Sequence, residues 1–573
     1  MSMPMTCFKF GGRVLLCPKE RGISERRKKN DRYSREGIRL IPQNISQERD
    51  IFEPGKKQDR CIKSETIWPV KKDEILKKSE HIPQTVSLPP LVSALQSSAN
   101  KNVASFHFPG HNRGHAAPPS LTQLIGLQPF IHDLPAVPGL DNLFSPEGPI
   151  LEAQKQAAKL FGSSETWFLV GGTTCGIQAA IMATCSPGKY LVLPRNCHMS
   201  AISAMVLSGA IPMYIIPEYD HNWDIAGGVT PSQVEEAIKE LELKGHRAAA
   251  VLVTSPTYHG ICSNLRKISK LCRSHGIPLI VDEAHGVHLG FHPQLPQSAL
   301  QQGADIAVQS THKVLCSLTQ SSMLHSSGNN VNREKISRCL QTLQSTSPSY
   351  LLLASLDAAR AQLSENPKII FNKALDLATE AQLLVKKITG ISVLDFPSFT
   401  SFPAIDPLRL TTGFWQLGLS GHEADKILYS YGSIICELVG TRSTTFTINL
   451  GTCRDHIERL VRGMEHLSAT CRSVQKIEEK VASESLAPFA DITITLNPRD
   501  AFFSSKRKMK IEESVGKVCG EMICPYPPGI PLMIPGELIT KEALDYLLYV
   551  RSKGAIITGA SDPFLSSIVV CDG

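Results

Sequence analysis

The sequence predicts an α/β protein built on a mostly parallel sheet with helices on both faces. Three observations predict it. Six short apolar runs lie between residues 167 and 309: Trp167–Val170, Tyr190–Leu193, Met213–Ile216, Ala248–Val253, Leu279–Val281 and Ile306–Gln309. Helical segments lie among them, at Gly176–Ala183, Met199–Leu207, Pro231–Glu242 and Leu265–Ser274. Strands that alternate with helices form parallel sheets covered on both sides. Third, five of the six runs end in residues suited to holding a ligand, and in such sheets ligands bind at the carboxyl ends of the strands.

Taken in order, the 573 residues are enough for two or three domains. The composition, 42% hydrophobic and 20% charged, is that of a globular chain. No apolar run reaches the roughly 18 residues a membrane span needs. The 16 cysteines include no C-x-x-C pair, so neither a zinc ribbon, another metal site nor a disulfide scaffold is expected. The net charge of +7 sits at one end: residues 1–80 hold 20 Lys+Arg against 12 Asp+Glu. The body is near neutral, which argues against a nucleic-acid partner. Residues 1–85 read as a disordered N-terminal segment. Lys9, Arg13 and Lys19 precede its first acid, Glu20. That pattern fits a transit peptide, so a plastid location is expected, with a cytoplasmic tail as the alternative.

Order begins with a helix near Pro89-Pro90. The loops His107–Gly114, which contains His111, and Gly139–Gly148, which contains Glu147, are polar and glycine-rich. A helix from Ile150 to Leu160 follows. The first strand run leads into Gly171-Gly172-Thr173-Thr174-Cys175-Gly176, where glycines and hydroxyls open a helix. Free N–H groups and the helix dipole make such a start an anion site. Later strand ends carry Arg195-Asn196-Cys197-His198, Ser255-Pro256-Thr257-Tyr258-His259-Gly260, Asp282-Glu283-Ala284-His285-Gly286 and Ser310-Thr311-His312-Lys313. A lysine closing a buried strand is costly unless it does chemistry; desolvated, it becomes a neutral amine able to form a Schiff base. With a phosphate site nearby, the aldehyde cofactor that fits is pyridoxal phosphate. Thr173, Thr174, Ser310 and His312 are then expected at its phosphate, His198 stacked on its ring, Asp282 at its ring nitrogen and Lys313 at its aldehyde carbon. Gly172 and His285 complete the expected cofactor set.

These motifs resemble those of the Orn/Lys/Arg decarboxylases, within the aspartate-aminotransferase superfamily of fold-type I. Phe108-Pro109-Gly110-His111, Gly139-Leu140-Asp141-Asn142-Leu143 and Leu318-Thr319-Gln320 add to the likeness, as does the C-terminal stretch Pro525–Pro531 with Pro535-Gly536-Glu537. The resemblance implies a lyase that decarboxylates ornithine, lysine or arginine toward polyamine biosynthesis, acting as a homodimer. It also implies a pyridoxal-phosphate domain at 86–385, a small αβ domain at 386–475 and a C-terminal domain at 486–573, with a linker near 476–485. Under it His111 and Glu147 are candidates for substrate contact; Glu147 sits in a rigid, acidic Pro-Glu-Gly-Pro setting that suits a cation. Asn112 and Met199 stand where the family has lysine, and His259 where it has an aromatic, which bears on substrate preference. Another reaction on the same cofactor, such as transamination, and a catalytically silent homologue are the alternatives.

Overall fold

The computed structural model describes residues 88–395, 400–471, 488–489, 492–526 and 529–572. The expected N-terminal segment and the linker near 476–485 lie outside them. All described residues belong to one compact unit, Gln84–Gly573.

The central sheet has seven strands: β1 (Glu165–Leu169), β2 (Tyr190–Pro194), β3 (Ile211–Ile215), β4 (Ala248–Thr254), β5 (Leu279–Asp282), β6 (Ile306–Gln309) and β7 (Ser322–Ser326). Their order across the sheet is β1-β7-β6-β5-β4-β2-β3. The pairs from β6 to β3 are parallel. β7 runs antiparallel to both β1 and β6. Six strands therefore point one way and β7 alone points back.

β7 is the strand the sequence pattern does not announce. Its serines and His325 break the apolar run, yet all five residues are buried. The interior satisfies them. His325 bonds Thr166 Oγ1 at 2.8 Å and Gln309 Oε1 at 3.0 Å. Hydrogen-bonded polar groups can be buried without the penalty that their sequence implies.

Helices cover both faces, because alternate strand residues point to opposite sides. Leu191 and Leu193 pack with Ile177, Ile181 and Met205 of helices α3 (Gly172–Thr184) and α4 (Met199–Ser208). Val192, between them, packs with Val234, Ile238 and Ile268 of α5 (Pro231–Leu243) and α6 (Leu265–Ser274). Local sequence starts these helices. Thr230 and Gln233 form a capping box on α5, and Asn264 caps α6. Helix α3 begins at Gly172, four residues before the expected Gly176, so the glycine-threonine stretch is its first turn. Expected helices near residues 90 and 150 are present as α1 (Pro90–Ala99) and α2 (Pro149–Phe161).

After β7 the expected helical stretch 352–384 is two helices, Tyr350–Glu365 and Asn372–Lys386, interrupted around Asn366-Pro367. A four-stranded antiparallel sheet follows: β8 (Ser392–Val393), β9 (Arg409–Gly413), β10 (Leu438–Val439) and β11 (Ser443–Thr447), in the order β8-β9-β11-β10. The last segment pairs β12 (Lys506–Lys510) with β13 (Ser567–Cys571) and carries a helix at Lys541–Ser552. No described helix is long and apolar enough to cross a membrane.

Candidate active site

The six co-directional strands end on one edge of the sheet, and the expected residues gather there. Ser310 follows β6 and caps a single helical turn, α7 (Thr311–Val314), that carries Lys313. Asp282 ends β5, in register with Thr254 on one side and Val308 on the other. His198 is the N-cap of α4 and accepts from the Ser200 amide through Nδ1 at 3.2 Å.

At one end of this edge the groups are neutral. Thr173 Oγ1 lies 2.6 Å from Ser310 Oγ and 3.2 Å from Ser322 Oγ. Beside these three hydroxyls α3 starts without a side-chain cap. Its first residue, Gly172, has φ +73°, a conformation that favours glycine. Uncapped amides plus hydroxyls form an anion cradle. Ser322 was not expected. It belongs to the edge because β7 is reversed and presents its first residue where the other strands present their last; Leu169 and Ser322 are register partners. Thr174 is exposed and makes none of the cradle's hydroxyl contacts. His312 is directed elsewhere: its Nδ1 donates to the Ser321 carbonyl at 2.9 Å.

The other end is buried and charged. Burial lowers the Lys313 pKa from the usual lysine range, with Asp282 acting against the shift. Burial raises the Asp282 pKa, with Lys313 acting against it. Asp282 Oδ1 accepts from the Ala284 amide at 3.2 Å. Lys313 Nζ is 3.0 Å from His285 Nε2. Arg409, from β9, donates from Nη2 to His285 Nδ1 at 3.2 Å. A guanidinium only donates, so His285 Nδ1 must carry the lone pair and Nε2 the proton. His285 Nε2–H then points at Lys313 Nζ, a bond that forms when the amine is neutral, and the downward shift of the Lys313 pKa favours that form. Burial first, then the Lys313 and Arg409 charges, hold the His285 pKa well below its ordinary value. The Tyr258 ring packs on His285 at 4.8 Å between centroids. Burial and Lys313 push His198 down to about 4, and burial and Arg409 push His259 down to about 4. Both imidazoles are neutral near pH 7.

The two candidate substrate contacts are not brought to this cluster. His111 Nε2 is 3.2 Å from Asp133, its ring meets Phe130 edge-on, and its Nδ1 accepts from Gly114. Glu147 is exposed. Both polar, glycine-rich loops are held in place by their own side chains. Asp141 Oδ2 accepts from the amides of Gly148, Ile150 and Leu151, closing the second loop onto α2. The Arg113 guanidinium donates to the carbonyls of Ser98, Ala99 and Lys101, tying down the first. Arg409 and Tyr258 were not singled out from sequence. The one signal for Arg409 was a charge alternating with Leu408 and Leu410.

These residues fit pyridoxal phosphate. The uncapped helix start with three hydroxyls suits its phosphate, a buried carboxylate its ring nitrogen, and a half-buried amine with a lowered pKa its aldehyde. The Gly529 backbone packs beside His198: a Cβ there would stand in ordinary contact, 3.6 Å from Nε2.

Comparison with known proteins agrees. The model of the Orn/Lys/Arg decarboxylase major domain matches residues 89–418, and that of the C-terminal domain matches 474–559. An arginine decarboxylase of Bacillus subtilis is 37% identical over 84% of this chain and 97% of its own length. The constitutive lysine decarboxylase of Escherichia coli is 25% identical over 81% of this chain and 78% of its own. The crystal structure of the Francisella novicida lysine decarboxylase aligns with a TM-score of 0.73 at 24% identity, over 85% of this chain and 81% of that one. The chain belongs to the Orn/Lys/Arg decarboxylase family, whose pyridoxal-phosphate chemistry removes the carboxyl group of a basic amino acid.

Proposed function

We propose that this enzyme acts on arginine and that the Lys313 cluster is where it does so. The observation that carries the site is the half-buried Lys313 amine, held 3.0 Å from a histidine whose tautomer Arg409 dictates. Arginine is favoured because the 37% identical relatives from Bacillus subtilis and Halalkalibacterium halodurans are named arginine decarboxylases, whereas the named lysine decarboxylases stand at 24–25%.

Pyridoxal phosphate supplies an electrophilic aldehyde and a ring that accepts the electrons of the broken carboxyl bond. The chain's residues do the rest. Gly172, Thr173, Ser310 and Ser322 would hold the phosphate, with Thr174 and His312 at the margin of that cradle. His198 would back the ring, and Asp282 would keep a proton on the ring nitrogen. Burial pushes Lys313 toward the neutral amine, and His285 Nε2–H points at its lone pair. Protonated, the same amine would be placed to give a proton to the reacting carbon. Borohydride reduction of the holoenzyme should fix the cofactor on the peptide containing Lys313; a label elsewhere rejects the assignment. CO2 release from arginine should exceed that from lysine or ornithine at least tenfold in kcat/KM; a preference for either of the others rejects arginine.

The limits 86–385, 386–475 and 486–573 are the proposed domains, and a homodimer is the proposed unit. Phe106 and Phe108 are 97% and 86% exposed beside the His111 loop, as an apolar face awaiting a second copy would be. Glu147 is then proposed to complete the site of the opposing copy. Mixing Lys313→Ala with Glu147→Ala should restore part of the activity, and no recovery would remove that role. The named relatives are bacterial, which favours the cytoplasmic alternative over plastid import. A fluorescent fusion of residues 1–85 that enters plastids would reverse that preference.

A further inference from the structure

A cavity is lined in part by Tyr258, whose ring also packs on His285. Its volume is about 150 Å3, enough in other proteins to hold a benzene-sized molecule. Three parts of the chain meet around it. Asp224 comes from the turn that joins the paired strands Tyr219–Asp220 and Ile225–Ala226, Thr441 from the loop before β11, and Tyr546 from the C-terminal helix. Leu438, Val439, Phe489, Ile530 and Val550 give it apolar walls.

Among the described residues, Asp224 is the one Asp, Glu, Lys or Arg side chain in the lining. The described groups that reach its carboxylate are neutral hydroxyls. Tyr219 and Tyr546 donate to Oδ1, the latter at 3.2 Å, and Thr441 donates to Oδ2. No ion pair to Asp224 exists among the described residues. The two histidines in the lining, His259 and His422, both have pKa values lowered by burial, so they bring no cation near pH 7. Asp224 itself sits at φ +54°, an uncommon conformation for a non-glycine residue. A carboxylate oriented by three hydroxyls in an apolar cavity, with no internal counter-charge, is complementary to a cation carried on an apolar stem.

We propose that this cavity binds an aliphatic cation, an ammonium or guanidinium on a short hydrocarbon chain, with Asp224 as its counter-charge. Tyr258 joins it to the catalytic cluster, because the same ring lines the cavity and packs on His285. The cation has two sources of one chemistry: the far end of a substrate seated beside Lys313, or a separate amine. The proposal rests on the cavity and not on arginine being the substrate, so an assay favouring another amino acid leaves it standing.

Calorimetric titration of the holoenzyme with agmatine tests it, with uncharged n-pentanol as control. Asp224→Asn should weaken agmatine binding by about tenfold or more, the usual cost of losing a charged hydrogen-bond partner. Ala555→Met, which fills the cavity without touching the carboxylate, should do the same and decides the matter if Asp224→Asn does not fold. Neither should change the cofactor absorbance. If Asp224→Asn also raises KM for the amino acid at constant kcat, the cation is the substrate's own end. If KM is unchanged, the cavity serves a separate amine. Agmatine binding equal to wild type in Ala555→Met, or equal binding of n-pentanol and agmatine, overturns the proposal.

Discussion

Two arginines are buried almost equally, Arg195 at 1% exposure and Arg409 at 4%, and they are used in opposite ways. Arg195 is fully partnered. Its Nε and Nη2 meet both oxygens of Glu537 at 2.9 and 2.7 Å, and Nη1 and Nη2 donate to the carbonyls of Pro531 and Leu532 at 2.6 and 3.1 Å. Burial works against its charge, and Glu537 more than restores it. It bolts the C-terminal segment to the end of β2. Arg409 is only partly partnered. Its Nε stands 3.8 Å from Asp406 without a hydrogen bond, while Asp406 lies 3.0 Å from His288. Its other donors go to His285 and Thr447. Burial lowers its pKa, with Asp406 opposing. A satisfied buried charge locks structure. One left short of partners beside a reactive amine orients and tunes.

The sharpest contrast comes from removing the amine that Arg409 serves. Lys313→Ala should lower decarboxylation by at least about a thousandfold while the unfolding midpoint barely moves. Activity within tenfold of wild type would detach Arg409 from the chemistry. Next, Arg195→Leu should cost about 3–5 kcal/mol, because Glu537 is left charged and unpaired in the interior. Urea unfolding of the double variant Arg195→Leu/Glu537→Leu should recover much of that loss. A single variant as stable as the parent would mean that Arg195 is no bolt.

Arg409→Gln should lower kcat by about tenfold to a hundredfold and cost less stability than Arg195→Leu, since His285 then loses the donor that sets its tautomer. An unchanged rate and pH profile would make Arg409 merely structural. A smaller effect concerns acid. His198 and His259 have folded pKa values of about 4 against 6.5 unfolded. The unfolded chain therefore gains protons first, so their contribution is full above pH 6.5 and is lost as pH falls toward 4. Each loses at most about 1.4 kcal/mol per pH unit. Denaturant titrations at pH 7, 5.5 and 4.5 should show this slope. It should be shallower in Arg409→Gln, where His259 loses a repelling charge, and unaltered in Arg195→Leu. The smallest effect belongs to the exposed Arg338–Glu334 pair. Arg338→Ala should leave the unfolding midpoint where it is, since solvent screens such pairs.

The sequence by itself determined the parallel part of the sheet and the residues at its strand ends. Those signals are local: buried strands are short apolar runs, and whatever follows one must lie at the carboxyl edge. Thr173, Asp282, Ser310 and Lys313 were legible for that reason. Tertiary structure decided what depends on distant partners. β7 could be polar because His325 finds Thr166 and Gln309, and its reversal brought Ser322 into the cradle. Asp141 and Arg113 tie down the two polar, glycine-rich loops by bonding backbone groups that composition does not reveal. The proton on His285 is set by Arg409, 124 residues further along the chain. Hydrogen-bond partners are properties of the assembled chain, so the tautomer of a histidine is written only in the fold.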